Sequence, residues 1–128
     1  MEKSLRDADR TARDVNLVSA FLAERDFPIL AKEAVVKALG RPADLIILMG
    51  GSIGSGCEAA ADAYLSGVAT GLMIVGGEGH TTQALRDSVA KRYPDVPTGG
   101  RAEADVIADM LFMHRGVPCD KMILETAS

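Results

Sequence analysis

The stretch Leu45–Ala60, LIILMGGSIGSGCEAA, passes from a continuous apolar run through Gly50, Gly51, Gly54 and Gly56 into an alanine-rich segment. The pattern returns at Gly71–Thr82, GLMIVGGEGHTT. A short apolar run bounded by glycines reads as a strand buried on both faces of a parallel sheet, and the segment after it as the returning helix. Alternation of that kind restricts the chain to an α/β fold with right-handed crossovers. Ligands of such folds bind beyond the carboxyl ends of the strands. A glycine turn that opens a helix also presents backbone N–H groups to a negative charge, worth about 0.3 to 1 kcal/mol at an exposed site. The two loops therefore suggest a phosphate, carboxylate or nucleotide-like ligand.

Two fingerprints can be tested on the first loop. Gly51 and Gly56 have the spacing of a nucleotide-triphosphatase phosphate loop, but Cys57 and Glu58 stand where its lysine and hydroxyl residue are required. That excludes an ATPase of this type. The dinucleotide pattern fits better, with Gly54, Gly56 and Ala59 in its small positions and Glu78 as the acidic residue for a ribose hydroxyl. The competing reading is a tight strand-to-helix turn in which small residues only let the helix approach the sheet.

The rest of the chain fits one α/β domain of 128 residues. Thr11 to Arg25 carries Val15, Val18 and Leu22 at helical spacing, with Thr11 and Asp14 resembling a capping box. Pro28 to Leu39 reads as a second helix closed by Gly40. These two helices, in residues 1–43, are expected to pack on a sheet formed by 44–128. Strands are predicted at Asp44–Met49, Gly71–Val75 and Lys121–Leu124. Helices are predicted at Cys57–Leu65, from Thr81 or Thr82 to about Arg92, and over Arg101–Arg115, with Gly116 as its end. Aromatic residues are only 4% of the chain and Trp is absent, so the core must be built from Ala, Val, Leu, Ile and Met.

A net charge of −4 argues against nonspecific binding to nucleic acid or an anionic membrane. The charged N-terminus lacks the apolar core of a signal peptide, and no run approaches the about 18 apolar residues of a membrane span. A soluble, cytoplasmic protein is the expectation. Cys57 and Cys119 lack the spacing of a metal site and read as reduced thiols. Cys57, near a helix start, is placed where a thiolate is favoured. No metal is expected.

The three predicted strand ends carry Gly50 to Gly56, Gly76 to Thr82, and Glu125 to Ser128. Candidate ligand-binding residues are Gly51, Ser52, Gly54, Gly56, Gly77, Glu78, Gly79, His80, Thr81, Arg101, Glu103 and Glu125. His80 is a candidate acid or base near neutral pH or an exposed turn residue. Arg101 is a candidate for bidentate contact with a phosphate or carboxylate, and Glu103 either joins it or stabilises a first helical turn. Glu78 and Glu125 are a candidate carboxylate pair, and His80 and Glu125 are the candidate catalytic groups.

The motifs GGEGHTT, TGGRAEADVIAD and GVPCDKMILETAS resemble the YdcF branch of the YdcF/SanA/ElyC-like family of bacterial proteins. The match covers most of the chain, including DLIILMGG. The resemblance implies a Rossmann-like three-layer α/β domain with no settled family-wide reaction and an adenosyl ligand such as S-adenosylmethionine. It carries site roles to Gly76, Gly77, Gly79, His80, Thr81, Arg101, Glu103, Glu125 and Ser128. Family members continue past this serine into a motif close to Thr-Asn-x-Gly-Glu-Asn and a further α/β half, so the resemblance implies a shortened chain lacking part of the crevice. Two functions follow as expectations. One is binding of a small nucleotide-like anion, with group transfer or hydrolysis favoured over redox chemistry if the protein is an enzyme. The other is a binding or regulatory module without turnover, forming a homo-oligomer through an exposed sheet edge.

Overall fold

A computed structural model describes residues 2–23, 26–51 and 54–127. Three strands, β1 (Ile46–Met49), β2 (Leu72–Val75) and β3 (Met122–Glu125), form an open parallel sheet in the order β1-β2-β3. Ile46 pairs with Leu72 and Leu72 with Met122, while Met49 pairs with Val75 and Val75 with Glu125. The strands therefore end level, and the loops after them meet at one end of the sheet.

Five helices accompany the strands among the described residues: α1 (Glu2–Leu22), α2 (Lys32–Leu39), α3 (Gly54–Leu65), α4 (Thr82–Arg92) and α5 (Glu103–Arg115). Gly40 and Gly116 end α2 and α5 with φ of 78° and 72°, a left-handed conformation that favours glycine. A single 3-10 turn, Cys119–Lys121, leads into β3.

Several boundaries move from their predicted places. α1 runs straight through Thr11, whose hydroxyl donates to the Asp7 carbonyl one turn back instead of capping a helix start. Its predicted end at Arg25 lies outside the described residues. α2 begins at Lys32 rather than Pro28. α3 begins at Gly54 rather than Cys57, so Gly54 and Gly56 belong to its first turn.

The core lies on one side of the sheet. Leu72 and Ile74 of β2, Leu85 of α4, and Val106, Ile107 and Leu111 of α5 are almost wholly buried there, with Cys57, Ala60 and Ala61 of α3. Burial of each large aliphatic side chain contributes about 1.5 to 3 kcal/mol. The alanines let helices approach closely, which is how a core with few aromatic side chains fills its volume. A polar clamp joins the same helices: Glu58 of α3 accepts from Arg92 at 2.7 Å, from Arg115 at 3.0 Å and from the Tyr93 hydroxyl at 3.2 Å.

The opposite face differs from expectation. Ile47, Met49 and Ile123 are 57%, 68% and 55% exposed, so β1 and β3 are not buried on both faces. Helices α3 and α5 contact the strands and α4 packs against both helices in the same core, which makes two layers rather than three among the described residues. The helical hairpin expected to cover the sheet is only half realised. Val35 of α2 packs with Ala63 and Val68, whereas every described side chain of α1 is exposed.

Candidate functional site

The level strand ends create a crevice of about 310 Å³, lined by Met49, Gly50, Val75, Gly76, Gly77, Glu78, Gly79, Thr81 and Glu103. Its floor follows from the sheet ladder continuing into the loops. Gly50 donates to the Val75 carbonyl at 2.6 Å, and Gly76 to the Glu125 carbonyl at 2.9 Å. The second loop then turns onto the start of α5, where Glu103 N–H donates to the Gly77 carbonyl at 3.0 Å and Ala104 N–H to the Gly76 carbonyl at 2.9 Å. Two of the free N–H groups at the start of α5 are thereby satisfied within the protein.

Glu103 is the centre of this arrangement. It is only 7% exposed, and its Oε1 accepts from the Thr82 hydroxyl at 2.9 Å. Thr82 in turn accepts from Gly79 N–H at 2.7 Å, so a relay from the second loop orients the carboxyl group. Its Oε2 lies against Gly50 and Gly76 and accepts no hydrogen bond from the described residues. Both glycines are required by this packing. A Cβ on Gly50 would sit 2.6 Å from Glu103 Oε2, and one on Gly76 would sit 2.8 Å from Glu103 Cβ. The absent side chains make room for a buried carboxyl group at the crevice floor.

Of the residues predicted from the sequence, Gly77, Glu78, Gly79, Thr81 and Glu103 come together in the crevice. Glu78 is 60% exposed at its rim, with Arg86 Nη2 3.4 Å from its Oε1. Thr81 stands at the start of α4 without a side-chain capping bond; Thr82 makes the contacts instead. His80 is exposed and outside the lining. Arg101 is turned away, donating to Asp109 Oδ2 at 2.6 Å and to the Pro97 carbonyl at 2.8 Å. Its backbone carbonyl is held by Arg86 at 2.6 Å, so its role here is to anchor the loop before α5.

Glu125 also lies outside the lining, and its Oε1 accepts from Ala127 N–H at 2.7 Å. The carboxyl pair that shares the crevice is Glu78 with Glu103, not Glu78 with Glu125. Gly51 and Gly56 have open space where a Cβ would be, and neither lines the crevice. Gly54 is the first residue of α3. Ser52 and Ser128 lie outside the described residues.

Cys57 faces the core rather than the crevice. It is 3% exposed, and burial pushes its thiol up from the ordinary value of 9.0, contrary to the thiolate expected from its place near a helix start. No group of three or more His, Cys, Asp or Glu among the described residues could hold a metal ion. No described helix is long and apolar enough to cross a membrane.

Sequence reasoning placed Gly50 and Thr82 at the strand ends without giving either a role, and it missed Arg86 and the lining side chains Met49 and Val75. The available signal was positional. Gly50 and Gly76 each follow a strand directly, and residues 82 and 86 are one turn apart on α4, so both can face the same neighbour. No protein-family model matches the chain.

Proposed function

We propose that this is a Rossmann-like, YdcF-like cytoplasmic protein that binds a small adenosyl compound, S-adenosylmethionine being the one whose chemistry suits the crevice. The supporting observation is the buried carboxyl group of Glu103, with one oxygen engaged by Thr82 and the other directed at the glycine floor. Together with Glu78 it supplies acceptors, while Met49 and Val75 supply apolar surface. Ribose hydroxyls, an ammonium group and a sulfonium centre are donors or cations and meet acceptors favourably. No Lys, Arg or His lines the crevice among the described residues, and Arg86 beside it is engaged by Glu78 and the Arg101 carbonyl, so a phosphate-rich anion is a poorer match. The anion reading of the glycine loops thus narrows to the nucleoside end of the ligand.

Binding without turnover is the form of this reading that the site favours, because His80 and Glu125, the candidate catalytic groups, stand outside the lining. Isothermal titration calorimetry tests the proposal directly. S-adenosylmethionine should bind, and AMP should bind more weakly. Glu78→Ala should weaken S-adenosylmethionine by about 1 to 3 kcal/mol, the worth of hydrogen bonds to a charged group, without changing the circular dichroism spectrum. Tighter binding of AMP, or unaltered affinity in Glu78→Ala, would remove the acceptor-lined crevice as the basis of recognition.

A further inference from the structure

Two apolar surfaces of this chain lack a partner among the described residues. One is the open sheet face, where Ile47, Met73 and Ile123 stand side by side across the three strands, short of the Met49 and Val75 that line the crevice. The other is α1. At about 100° per residue, Leu5, Ala8, Ala12, Val15, Val18 and Leu22 share one stripe of the helix, and all are exposed. A parallel sheet is normally covered on both faces. A helix of this length draws most of its stability from packing an apolar face. Each surface offers what the other lacks.

We infer that the protein is a homodimer in which α1 of each copy lies across the open sheet face of the other. The dimensions agree. Three strands at about 4.8 Å spacing and four residues at about 3.3 Å each make a patch about 14 Å by 13 Å, wide enough for one helix about 10 Å across. Val15, Val18 and Leu22 cover that patch. With a rise of about 1.5 Å per residue α1 is about 31 Å long, so Leu5, Ala8 and Ala12 extend the contact beyond the sheet.

The exchange is reciprocal. Each copy gives one helix and one sheet face, so a two-fold axis closes both surfaces and association stops at two. Because each copy buries both a sheet face, with Ile47 and Ile123 57% and 55% exposed, and a helix stripe, with Leu5, Val15, Val18 and Leu22 56% to 72% exposed, the two contacts add toward the about 800 Å² per partner of a standard interface. Within one chain, α1 leads through residues 23–31 into α2, which Val35 holds against Ala63 and Val68 on the helix-covered side. A neighbour's α1 reaches the open face without having to pass around the β1 edge. The contact is to the face of the sheet, and it leaves the edges of β1 and β3 free.

Sedimentation equilibrium across the micromolar range, combined with disulfide trapping, tests the exchange. The wild-type chain should sediment as a dimer, and Val15→Asp/Val18→Asp should raise its dissociation constant at least 100-fold with an unchanged circular dichroism spectrum, because both side chains are exposed in the single chain. In a Cys119→Ser background, mixing a Val18→Cys protein with an Ile47→Cys protein under mild oxidation should give a covalent heterodimer. A wild-type monomer throughout the range would overturn the inference. So would a dimer that survives the double substitution, or a Val18→Cys/Ile47→Cys protein that forms its bond only within one chain.

Discussion

On one side of the sheet, Leu72 and Ile74 are fully buried in a cluster with Ile107 and Leu111; on the other, Ile47, Met49 and Ile123 expose more than half of their surface. The central strand β2 supplies the buried pair and the flanking β1 and β3 the exposed three, while Met73 and Val75 of β2 are half-buried on the open face. The difference comes from connection rather than composition. With strands added in the order β1-β2-β3 and each crossover right-handed, every crossover helix falls on the same side of the sheet. An apolar run thus announces a strand and leaves open how many of its faces its own crossovers will cover.

The contrast can be broken by truncating side chains on each face. Ile74→Ala should destabilise by about 2 to 5 kcal/mol in urea unfolding, the range for removing a large buried aliphatic group. In the Val15→Asp/Val18→Asp background, Ile47→Ala should change stability by no more than about 0.5 kcal/mol, as exposed substitutions do. A loss at Ile47 comparable with that at Ile74 would mean that the open face is covered within the single chain.

A smaller effect sharpens the comparison at the strand ends, where the covered layer meets the crevice. Gly76→Ala should cost about 1 to 3 kcal/mol, because its Cβ would stand 2.8 Å from Glu103 Cβ and 3.3 Å from Ala104 N. Gly51→Ala, with open space around the new methyl group, should leave the melting temperature almost unchanged. Equal melting temperatures for the two variants would show that Glu103 is not held in the tight packing described.

The smallest effect concerns the thiol buried on the covered side. Cys57 has its pKa raised in the folded state, mainly by desolvation. The contribution of this group to stability is therefore complete below 9.0 and is lost as pH rises through the folded value. Stability should decline above pH 9 less steeply in Cys57→Ala than in the wild type, once the cavity cost of the substitution is subtracted at neutral pH. In the native protein a thiol reagent should label Cys119 promptly and Cys57 only on unfolding, since one is exposed and the other buried.

The elements themselves were largely legible. Gly40 and Gly116 mark helix ends in the sequence and end α2 and α5 in the structure, because the left-handed conformation there is a local requirement written in the residue. The three apolar runs became the three strands, with ends shifted by one or two residues. The first glycine loop was misjudged because local spacing cannot tell a loop from the first turn of a helix, and α3 took in Gly54 and Gly56. The site was legible at Gly77, Glu78, Gly79 and Thr81, which are contiguous with a strand end. Arg101 misled because its nearest opposite charge, Asp109, comes from the same helix that its loop precedes, and sequence does not reveal which partner a guanidinium will choose.

By itself the amino-acid sequence determined that this chain alternates strands and helices, where helices α2 to α5 stop, and that glycines crowd the carboxyl ends of two strands. Only the tertiary structure decided that Glu103 lies beneath Gly50 and Gly76, that Arg101 faces away, and that one face of the sheet is left uncovered by the described residues of the single chain. The physical reason is the range of the interactions involved. Propensity, capping and periodicity act within a few residues and can be read along the chain. The Glu103 carboxyl group, by contrast, is placed by contacts with residues 82, 76 and 50, brought together only when the sheet has formed and α5 has docked against it.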